Sequence, residues 1–182
     1  MNENKIIITG APGTGKTTLL NSLKSKGFDY IGEPAREILY EQRKVGGKGV
    51  SEVNNRLFRD LILSRSINKF LTFNTKKLTF FDRGIPDVIA YSVLFDLDIN
   101  TDLKASQEYR YNNKVFITSP WKNIYCNDKE RKMSFEDILP FHDTLKKYYI
   151  KLGYELIEVP QLDVEMRADF VLNKLNINKE KQ

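Results

Sequence analysis

The segment GAPGTGKT, residues 10–17, sets the strongest limit on the fold of this chain. Gly10, Gly13 and Gly15 allow the backbone to turn tightly and to direct its N–H groups inward. The apolar stretch KIIIT comes directly before the segment, and a helical pattern, KTTLLNSLKSK, begins at its end. A glycine-rich turn between a strand and a helix N-terminus binds anions, and the spacing G-x-x-x-x-G-K-T is highly specific for phosphate. The segment therefore predicts a phosphate loop.

Each polar residue of this loop has a defined chemical task. Lys16 provides a point charge for the β- and γ-phosphates of a nucleotide, and Thr17 offers a hydroxyl to Mg²⁺. Thr18 is placed to reach an oxygen of the α-phosphate. The residues expected to contact the nucleotide are Gly10, Ala11, Pro12, Gly13, Thr14, Gly15, Lys16, Thr17 and Thr18. We expect ATP and Mg²⁺ as ligands, and the loop itself leaves the choice between ATP and GTP open.

Short apolar segments alternate with helical patterns along the rest of the chain. Strands are predicted at residues 5–9, 28–31, 78–81, 114–118 and 154–159. Runs this short, rich in Ile, Phe, Val and Tyr, are typical of buried parallel strands. Apolar residues recur at helical spacing from Val53 to Ile62 and from Phe135 to Leu152. The alternation predicts a three-layer α/β fold, a five-stranded parallel sheet with helices on both faces.

Composition limits the class of protein further. We expect the 182 residues to form one domain over residues 1–176, with a frayed polar tail at 177–182. The net charge of +5 is scattered, with no basic stripe carrying interleaved aromatic residues, so nucleic acid is a disfavoured partner. Cys126 is the only cysteine, which excludes an intrachain disulfide. With neither a signal-peptide pattern nor an apolar run of about 18 residues, we expect a cytoplasmic protein without a membrane span.

Two irregular segments interrupt the regular pattern. Lys44–Ser51, KVGGKGVS, is too rich in glycine for a stable helix and predicts a mobile loop, with Ser51 capping the next helix. Trp121–Ser134, WKNIYCNDKERKMS, has little periodicity and carries four basic residues. Ser134, followed three residues later by Asp137, resembles the start of a helix. The position of this second segment after the fourth predicted strand favours a lid.

The third predicted strand delivers a carboxylate, because KLTFF is followed directly by Asp82 and Arg83. Asp82 is placed to reach the outer shell of a metal held by the phosphate loop. Arg83 stands where motor and chaperone ATPases usually have a water-activating Glu, so the pair disfavours a committed hydrolase. An N-K-x-D guanine motif and an S-G-G-Q transporter motif are both absent, which favours a kinase-like fold. The alternative is a plain surface ion pair, but polar residues at the carboxyl ends of parallel strands usually face the ligand crevice.

Further candidate residues follow the second strand, in YIGEPAREILYEQ. Glu33 is predicted to lie at the carboxyl edge of the sheet, where it can accept the proton of an attacking hydroxyl. The alternative, given equal weight, is that Glu33 only caps a helix N-terminus. Arg36 is placed to bind an anionic substrate group or to pair with Glu33, and Asp87 is the reserve candidate for the base.

The remaining candidates lie near the lid and the chain end. Arg131 is the lid residue best suited to bind phosphate oxygens, with a solvated charged loop as the alternative. Gln161, after the fifth strand, is a weaker nucleotide candidate. Arg167, in the last helix, is a weak nucleotide candidate as well, and an ion-pair role is at least as well supported. His142, the only histidine, lies on an apolar helical stripe and is expected to be a hydrogen-bonded core residue.

Almost the whole chain resembles one family of proteins. The resemblance is carried by TGAPGTGKTTLL, EPAREIL, DRGIPDVIAY, SPWKNIYCNDKERKMSFED, LGYELIEVP and VEMRADFVL. The chain resembles small predicted ATPases with a kinase-like P-loop fold, a family that includes the ribosylnicotinamide kinase domain of bacterial NAD regulators and an animal nucleotide- and phospholipid-binding protein. GEPARE is also similar to the Glu-Pro stretch of deoxynucleoside kinases, where that Glu is taken as the base. The resemblance implies nucleotide binding at residues 10–18, Mg²⁺ near Thr17 and Asp82, and a lid around Arg131.

These features together predict a Mg-ATP-binding phosphotransferase. Its acceptor is expected to be a small hydroxyl compound, with a nucleoside as the first candidate. One alternative is a slow NTPase switch that binds a protein or lipid partner, and another is a nucleic-acid end kinase. The sequence leaves the acceptor and the oligomeric state open.

Overall fold

The structure, a computed structural model, is described for residues 3–73, 76–125 and 134–177. The strands are β1 (Lys5–Gly10), β2 (Asp29–Ile31), β3 (Thr79–Asp82), β4 (Lys114–Thr118) and β5 (Glu155–Val159). The helices are α1 (Lys16–Ser25), α2 (Pro34–Val45), α3 (Asn55–Thr72), α4 (Pro86–Leu94), α5 (Asn100–Glu108), α6 (Phe135–Lys151) and α7 (Val164–Lys174). All five predicted strands are therefore confirmed, each to within one residue at either end.

The five strands form one parallel sheet in the order β2-β3-β1-β4-β5. The strand that leads into the glycine-rich loop is therefore central. Ile8 of β1 lies beside Asp82 of β3, so the end of β3 is next to the start of the loop. Gly10 lies beside Thr118 on the other side. The parallel sheet thus places the carboxyl ends of the other four strands at the same edge as the glycine-rich loop.

Alternating side chains of the strands build a core on each face of the sheet. On one face, Ile6 and Ile8 pack with apolar residues of α1 and α7. On the other face, Ile7 packs with residues of α3, α4 and α6. A third, smaller cluster joins α2 to α3 and comprises Ala35, Ile38, Leu39, Val50 and Phe58. This arrangement confirms the predicted parallel sheet with helices on both faces.

The helix starts follow the sequence signals in one case and depart from them in another. Ser134 and Asp137 form the expected capping box at the start of α6. The expectation that Ser51 caps α3 is wrong, because the cap is Asn54, whose side chain accepts a hydrogen bond from Leu57 N at 2.9 Å. Three further residues of chain lie between Ser51 and the helix. Val53 therefore precedes α3 and is exposed, and the helix buries Phe58 instead.

The glycine-rich segment is tied to α2. Gly46 ends α2 in the left-handed conformation, with φ of 67°. The side chain of Gln42 accepts a hydrogen bond from Gly49 N at 3.0 Å, and Val50 is buried in the third cluster. The predicted absence of helix is thus confirmed beyond Val45. The mobility of the segment stays a prediction.

One buried ion pair holds α3 against α4 and α5. Arg59 donates to Asp102 at 3.0 Å and to Ser92 at 3.1 Å, and Asp102 is fully buried. Removing one partner of such a pair leaves a buried charge uncompensated. We predict that Asp102→Ala lowers the free energy of unfolding by about 3 kcal/mol.

Urea unfolding of Asp102→Ala and the parent protein measures this loss. Lys146→Met is the matched control, because it breaks the surface pair with Glu158 and should change stability by less than about 1 kcal/mol. Equal stabilities of the two variants would contradict the prediction.

Candidate active site

The loop between β1 and α1 has the backbone that its glycines predict. Gly10, Gly13 and Gly15 have φ of 142°, 74° and 82°, all in the region that favours glycine. Gly10 has a second reason to be glycine, since a Cβ there would lie 2.3 Å from Thr118 Oγ1. The contact between β1 and β4 therefore fixes where the loop begins.

The side chains of the loop divide into buried and open groups. Lys16 is buried, and its Nζ donates to the carbonyl oxygens of Gly10 and Ala11 at 2.9 and 2.8 Å. Thr14 is also buried and donates to Ala11 O at 2.8 Å. Thr17 and Thr18, by contrast, are exposed in the first turn of α1. The loop thus brings together a helix N-terminus, the two exposed hydroxyls of Thr17 and Thr18, and the ammonium group of Lys16.

Asp82 lies beside the loop at the end of β3. Its Oδ1 is buried and has no hydrogen-bond partner among the described residues. Burial, and then the charge of Glu33, raise the pKa of Asp82 to about 6, while Lys16 and Arg83 oppose the rise. A buried carboxylate oxygen without a partner costs free energy unless something binds it. This atom is therefore suited to receive a cation or its water.

Arg83 adopts a backbone conformation that is rare for its residue type. Its φ is 72°, in the left-handed region, which costs a non-glycine residue roughly 1–2 kcal/mol. The guanidinium is buried and donates to Glu33 Oε1 at 2.7 Å and to Asp87 Oδ1 at 2.9 Å. Arg83 thus pairs with Glu33, which follows β2, and with Asp87 in the first turn of α4. The structure therefore does not have the alternative, a plain surface ion pair between Arg83 and Asp82. Strain of this kind is concentrated at functional sites.

Glu33 occupies the N-cap position of α2 without acting as a cap. Its side chain makes no capping hydrogen bond. Instead it is buried, and it accepts hydrogen bonds from Arg83 and, at 3.3 Å, from Arg36 Nε. The predicted Glu33–Arg36 pair is therefore present, and the Glu33 carboxylate turns toward the site.

Asp87, the reserve candidate, is saturated with hydrogen bonds. Its Oδ1 accepts from Thr9 Oγ1 at 2.5 Å and from Arg83. Its Oδ2 accepts from Gly84 N at 2.9 Å and from Tyr149 OH at 2.5 Å. Such a carboxylate is suited to fix its neighbours in place rather than to accept a substrate proton.

A cavity of about 510 Å³ opens beside the Glu33, Arg83 and Asp87 cluster. Pro12 of the glycine-rich loop borders it, so the cavity and the loop adjoin. Its wall is largely apolar and aromatic, formed by Ala35, Leu39, Phe58, Ile62, Val88, Tyr91, Leu94, Phe95 and Phe141. Ser51, the last residue of the glycine-rich segment, and the adjacent Glu52 also line it, and Glu52 accepts a hydrogen bond from Arg43 at 2.9 Å. Its volume and lining are typical of small-molecule sites.

The structure separates the other sequence candidates. Arg131 and most of the predicted lid lie outside the described residues. Gln161 is exposed and donates to Pro120 O at 3.2 Å, so it links the segments that follow β5 and β4. His142 is a buried residue of α6, as expected. Its Nδ1, however, has no hydrogen-bond partner in the described ranges, and burial lowers its pKa.

Three residues near the site were missed or underrated by the sequence reasoning. Tyr149 was treated only as part of an apolar stripe, and Thr9 only as the end of a strand. A buried tyrosine hydroxyl needs a hydrogen-bond partner, so a tyrosine on an apolar stripe indicates that a polar group lies opposite it. Arg167 occupies the buried face of α7, with a guanidinium near Gly15. An arginine among the apolar positions of a helix indicates a buried charge, and Arg167 is such a residue in α7.

Solved structures share this fold at low sequence identity. A deoxyadenosine kinase from M. mycoides, with the products dCMP and dCDP bound, is 18% identical with a TM-score of 0.65, covering 94% of this chain and 98% of its own. A thymidylate kinase from Ehrlichia chaffeensis is 17% identical with a TM-score of 0.65, covering 97% and 100%. A thymidylate kinase from Candida albicans is 13% identical with a TM-score of 0.66, covering 98% and 93%. The fold is therefore that of P-loop nucleoside and nucleotide kinases.

Sequence comparison places the chain in a family. No curated protein matches it. Along the described residues, no helix is long and apolar enough to cross a membrane. The kinship with ribosylnicotinamide kinase domains and with a phospholipid-binding protein stays a prediction. The model of the AAA domain family matches residues 5–167, nearly the whole chain, and this protein therefore belongs to the AAA domain family AAA_28.

Proposed function

We propose that the protein is a kinase that transfers the γ-phosphate of ATP to a hydroxyl group of a small molecule, with a nucleoside as the first candidate. The observation that carries the proposal is the cavity beside the glycine-rich loop. Glu33, Arg83 and Asp87 line it, and so does the loop residue Pro12. An acceptor in the cavity would thus lie between a carboxylate and a phosphate site.

The glycine-rich loop is the proposed donor site. Gly10–Thr18 would surround the phosphates, with the backbone N–H groups and the N-terminus of α1 facing their oxygens. Lys16 would exchange its two carbonyl partners for the β- and γ-phosphates. Arg131, outside the described residues, is proposed to close over the transferring group, and Gln161 to border the nucleotide.

Thr17 and Asp82 are the residues proposed to hold Mg²⁺. The exposed Thr17 hydroxyl and Asp82 Oδ1, which has no hydrogen-bond partner among the residues that the structure describes, would supply the oxygen ligands that Mg²⁺ prefers. The described residues contain no cluster of three His, Cys, Asp or Glu side chains suited to a metal. That donor set fits an ion that keeps its waters and shares the substrate phosphates. When bound, the ion neutralises charge on the phosphate oxygens.

Glu33 is the proposed general base. The acceptor oxygen attacks the γ-phosphorus, the bond to the oxygen of the β-phosphate breaks, and ADP leaves. The hydroxyl proton passes to Glu33, which Arg83 and Arg36 hold in place. Asp87 holds Arg83 in turn. Positioning and charge neutralisation supply most of the catalysis in this reaction class.

The lining of the cavity supports an acceptor with a flat ring. Phe58 and Tyr91 meet edge to face with centroids 5.6 Å apart, and Phe95 lies 4.7 Å from Tyr91. Aromatic walls favour a planar, largely apolar group such as a base. The solved deoxyadenosine and thymidylate kinases bear names that indicate acceptors of this kind.

An ADP-release screen tests the proposal. Nucleosides, nucleoside monophosphates, sugars and short oligonucleotides are offered with ATP, and the products are identified by mass. A phosphorylated nucleoside with matching ADP release supports a nucleoside kinase. Acceptor-independent ADP release would indicate the NTPase switch, and labelled oligonucleotide ends would indicate the end kinase.

We predict that Lys16→Ala weakens ATP binding roughly ten- to hundredfold, because charge-assisted hydrogen bonds to phosphate are lost. Calorimetry measures the affinity. Lys24→Ala, which removes an exposed ammonium group from the last turn of the same helix, is the control and should bind ATP like the parent. Unchanged affinity of Lys16→Ala would contradict the donor site.

We predict that Glu33→Gln binds ATP normally but transfers phosphate roughly 10²- to 10⁴-fold more slowly, because the general base is lost. Single-turnover kinetics with the identified acceptor measure the transfer. Glu41→Gln neutralises an exposed carboxylate of the same helix, paired with Arg65, and should leave the rate unchanged. Transfer by Glu33→Gln within about threefold of the parent would rule out this base, since the expected loss is far larger.

We predict that hydrogen exchange slows in Lys44–Ser51 when nucleotide and acceptor bind together, because Ser51 and the adjacent Glu52 line the cavity. The same slowing is expected in Trp121–Ser134, most of which lies outside the described residues. Mass spectrometry of peptides from both segments measures the exchange. Equal rates with and without the ligands would count against closure.

A further inference from the structure

Arg167 is a buried cation beside the glycine-rich loop. The residue is only 6% exposed. Its Nη1 lies 2.8 Å from the position that a Cβ on Gly15 would occupy, so the guanidinium lies directly against the backbone of residue 15. Ile124, in the segment after β4, lies against the same position at 3.1 Å. The guanidinium is therefore packed against the N-terminus of α1.

The guanidinium has no partner in the described part of the chain. Its Nε is buried without a hydrogen bond, and no carboxylate among residues 3–73, 76–125 and 134–177 pairs with the side chain. Two other arginines with buried guanidinium groups are held by carboxylates, Arg59 by Asp102 and Asp60, and Arg83 by Glu33 and Asp87. A buried charge without a partner is strongly destabilising, so this position is suited to bind an anionic ligand. Burial also lowers the pKa of Arg167, because it removes water from around the charged guanidinium.

The location of Arg167 indicates which part of a ligand it meets. Glu33, Arg83 and the cavity lie on the β3 and β2 side of the loop. Arg167 follows β5 and Ile124 follows β4, so both lie on the opposite side. A donor whose γ-phosphate faces Glu33 must extend its nucleoside end away from the cavity. That direction leads to Arg167.

We propose that Arg167 binds the α-phosphate of the donor nucleotide through its guanidinium. The assignment rests on the proposed donor site and adds a residue to it. A planar guanidinium matches two phosphate oxygens at once. Thr18, exposed in the first turn of α1, would contact the same phosphate. Lys16 then binds the β- and γ-phosphates. Arg167 binds the α-phosphate, which stays with ADP when the γ-phosphate is transferred.

Binding of three ligands to two variants tests this assignment. Calorimetry measures the affinities of Mg-ATP, inorganic tripolyphosphate and pyrophosphate, the last of which fills the two phosphate positions beside Lys16. Arg167→Met should lose about tenfold or more in affinity for ATP and for tripolyphosphate, the equivalent of one charge-assisted contact, and should bind pyrophosphate as the parent does. Arg167→Lys, which keeps the charge, should recover part of the loss.

Lys26→Met is the matched control for packing between α1 and α7. Lys26 pairs with Glu165 and Asp169 across the same helix interface but lies at the far end of α1 from the loop. It should bind all three ligands like the parent. If Arg167→Met unfolds, Arg167→Lys and Arg167→Gln carry the same comparison.

Four results would overturn the assignment. Unchanged ATP affinity in Arg167→Met would show that the residue touches no ligand. An equal loss for pyrophosphate would place Arg167 at another phosphate or in the loop scaffold, and a loss for ATP alone would place it on the base or sugar. A parent protein that binds no ATP would overturn the donor site as well, which separates that failure from the first three.

Discussion

The site depends on one buried guanidinium, that of Arg83. It joins Glu33, from the segment after β2, to Asp87, at the start of α4. Asp87 in turn receives Thr9 of the central strand and Tyr149 of α6. Four segments that are far apart in the sequence are thereby held together at one end of the sheet, with Arg83 and Asp87 in the same segment. The strained backbone at Arg83 is tolerated because these bonds fix the side chain.

Local signals were enough to predict the sheet and the glycine-rich loop, since a buried strand and a glycine turn are specified by neighbouring residues. Asn54 caps α3 in place of Ser51 because Val50 is buried in the third cluster and the chain after it forms a turn closed by hydrogen bonds from Val53 N and Asn54 N to Val50 O before the helix begins. That cluster exists only in the folded protein. The bonds of Tyr149 to Asp87 could not be read from spacing, because 62 residues separate them. The sequence also left open whether Arg167 forms an ion pair, because only the packing of the folded chain decides whether a carboxylate lies opposite an arginine.

Membership of the AAA domain family and a kinase-like fold are compatible descriptions of this chain. The family match covers the loop and the sheet, which serve any reaction at a nucleotide phosphate. The distinction between hydrolysis and transfer lies in what stands beside the γ-phosphate. In the proposed donor site, Arg83, Glu33 and an apolar cavity would stand beside the γ-phosphate. An acceptor that fills the cavity would exclude water, which favours transfer to that acceptor.

The packing of α2 and α3 has a consequence for how such a protein diversifies. Ala35, Leu39 and Phe58 belong both to the cavity wall and to the small third cluster, which is separate from the two clusters that cover the sheet. Substitutions there reshape the cavity while the sheet and the glycine-rich loop keep their own packing. If the cavity holds the acceptor of the proposed kinase, the residues that select the acceptor can therefore change while the packing that supports the sheet stays the same.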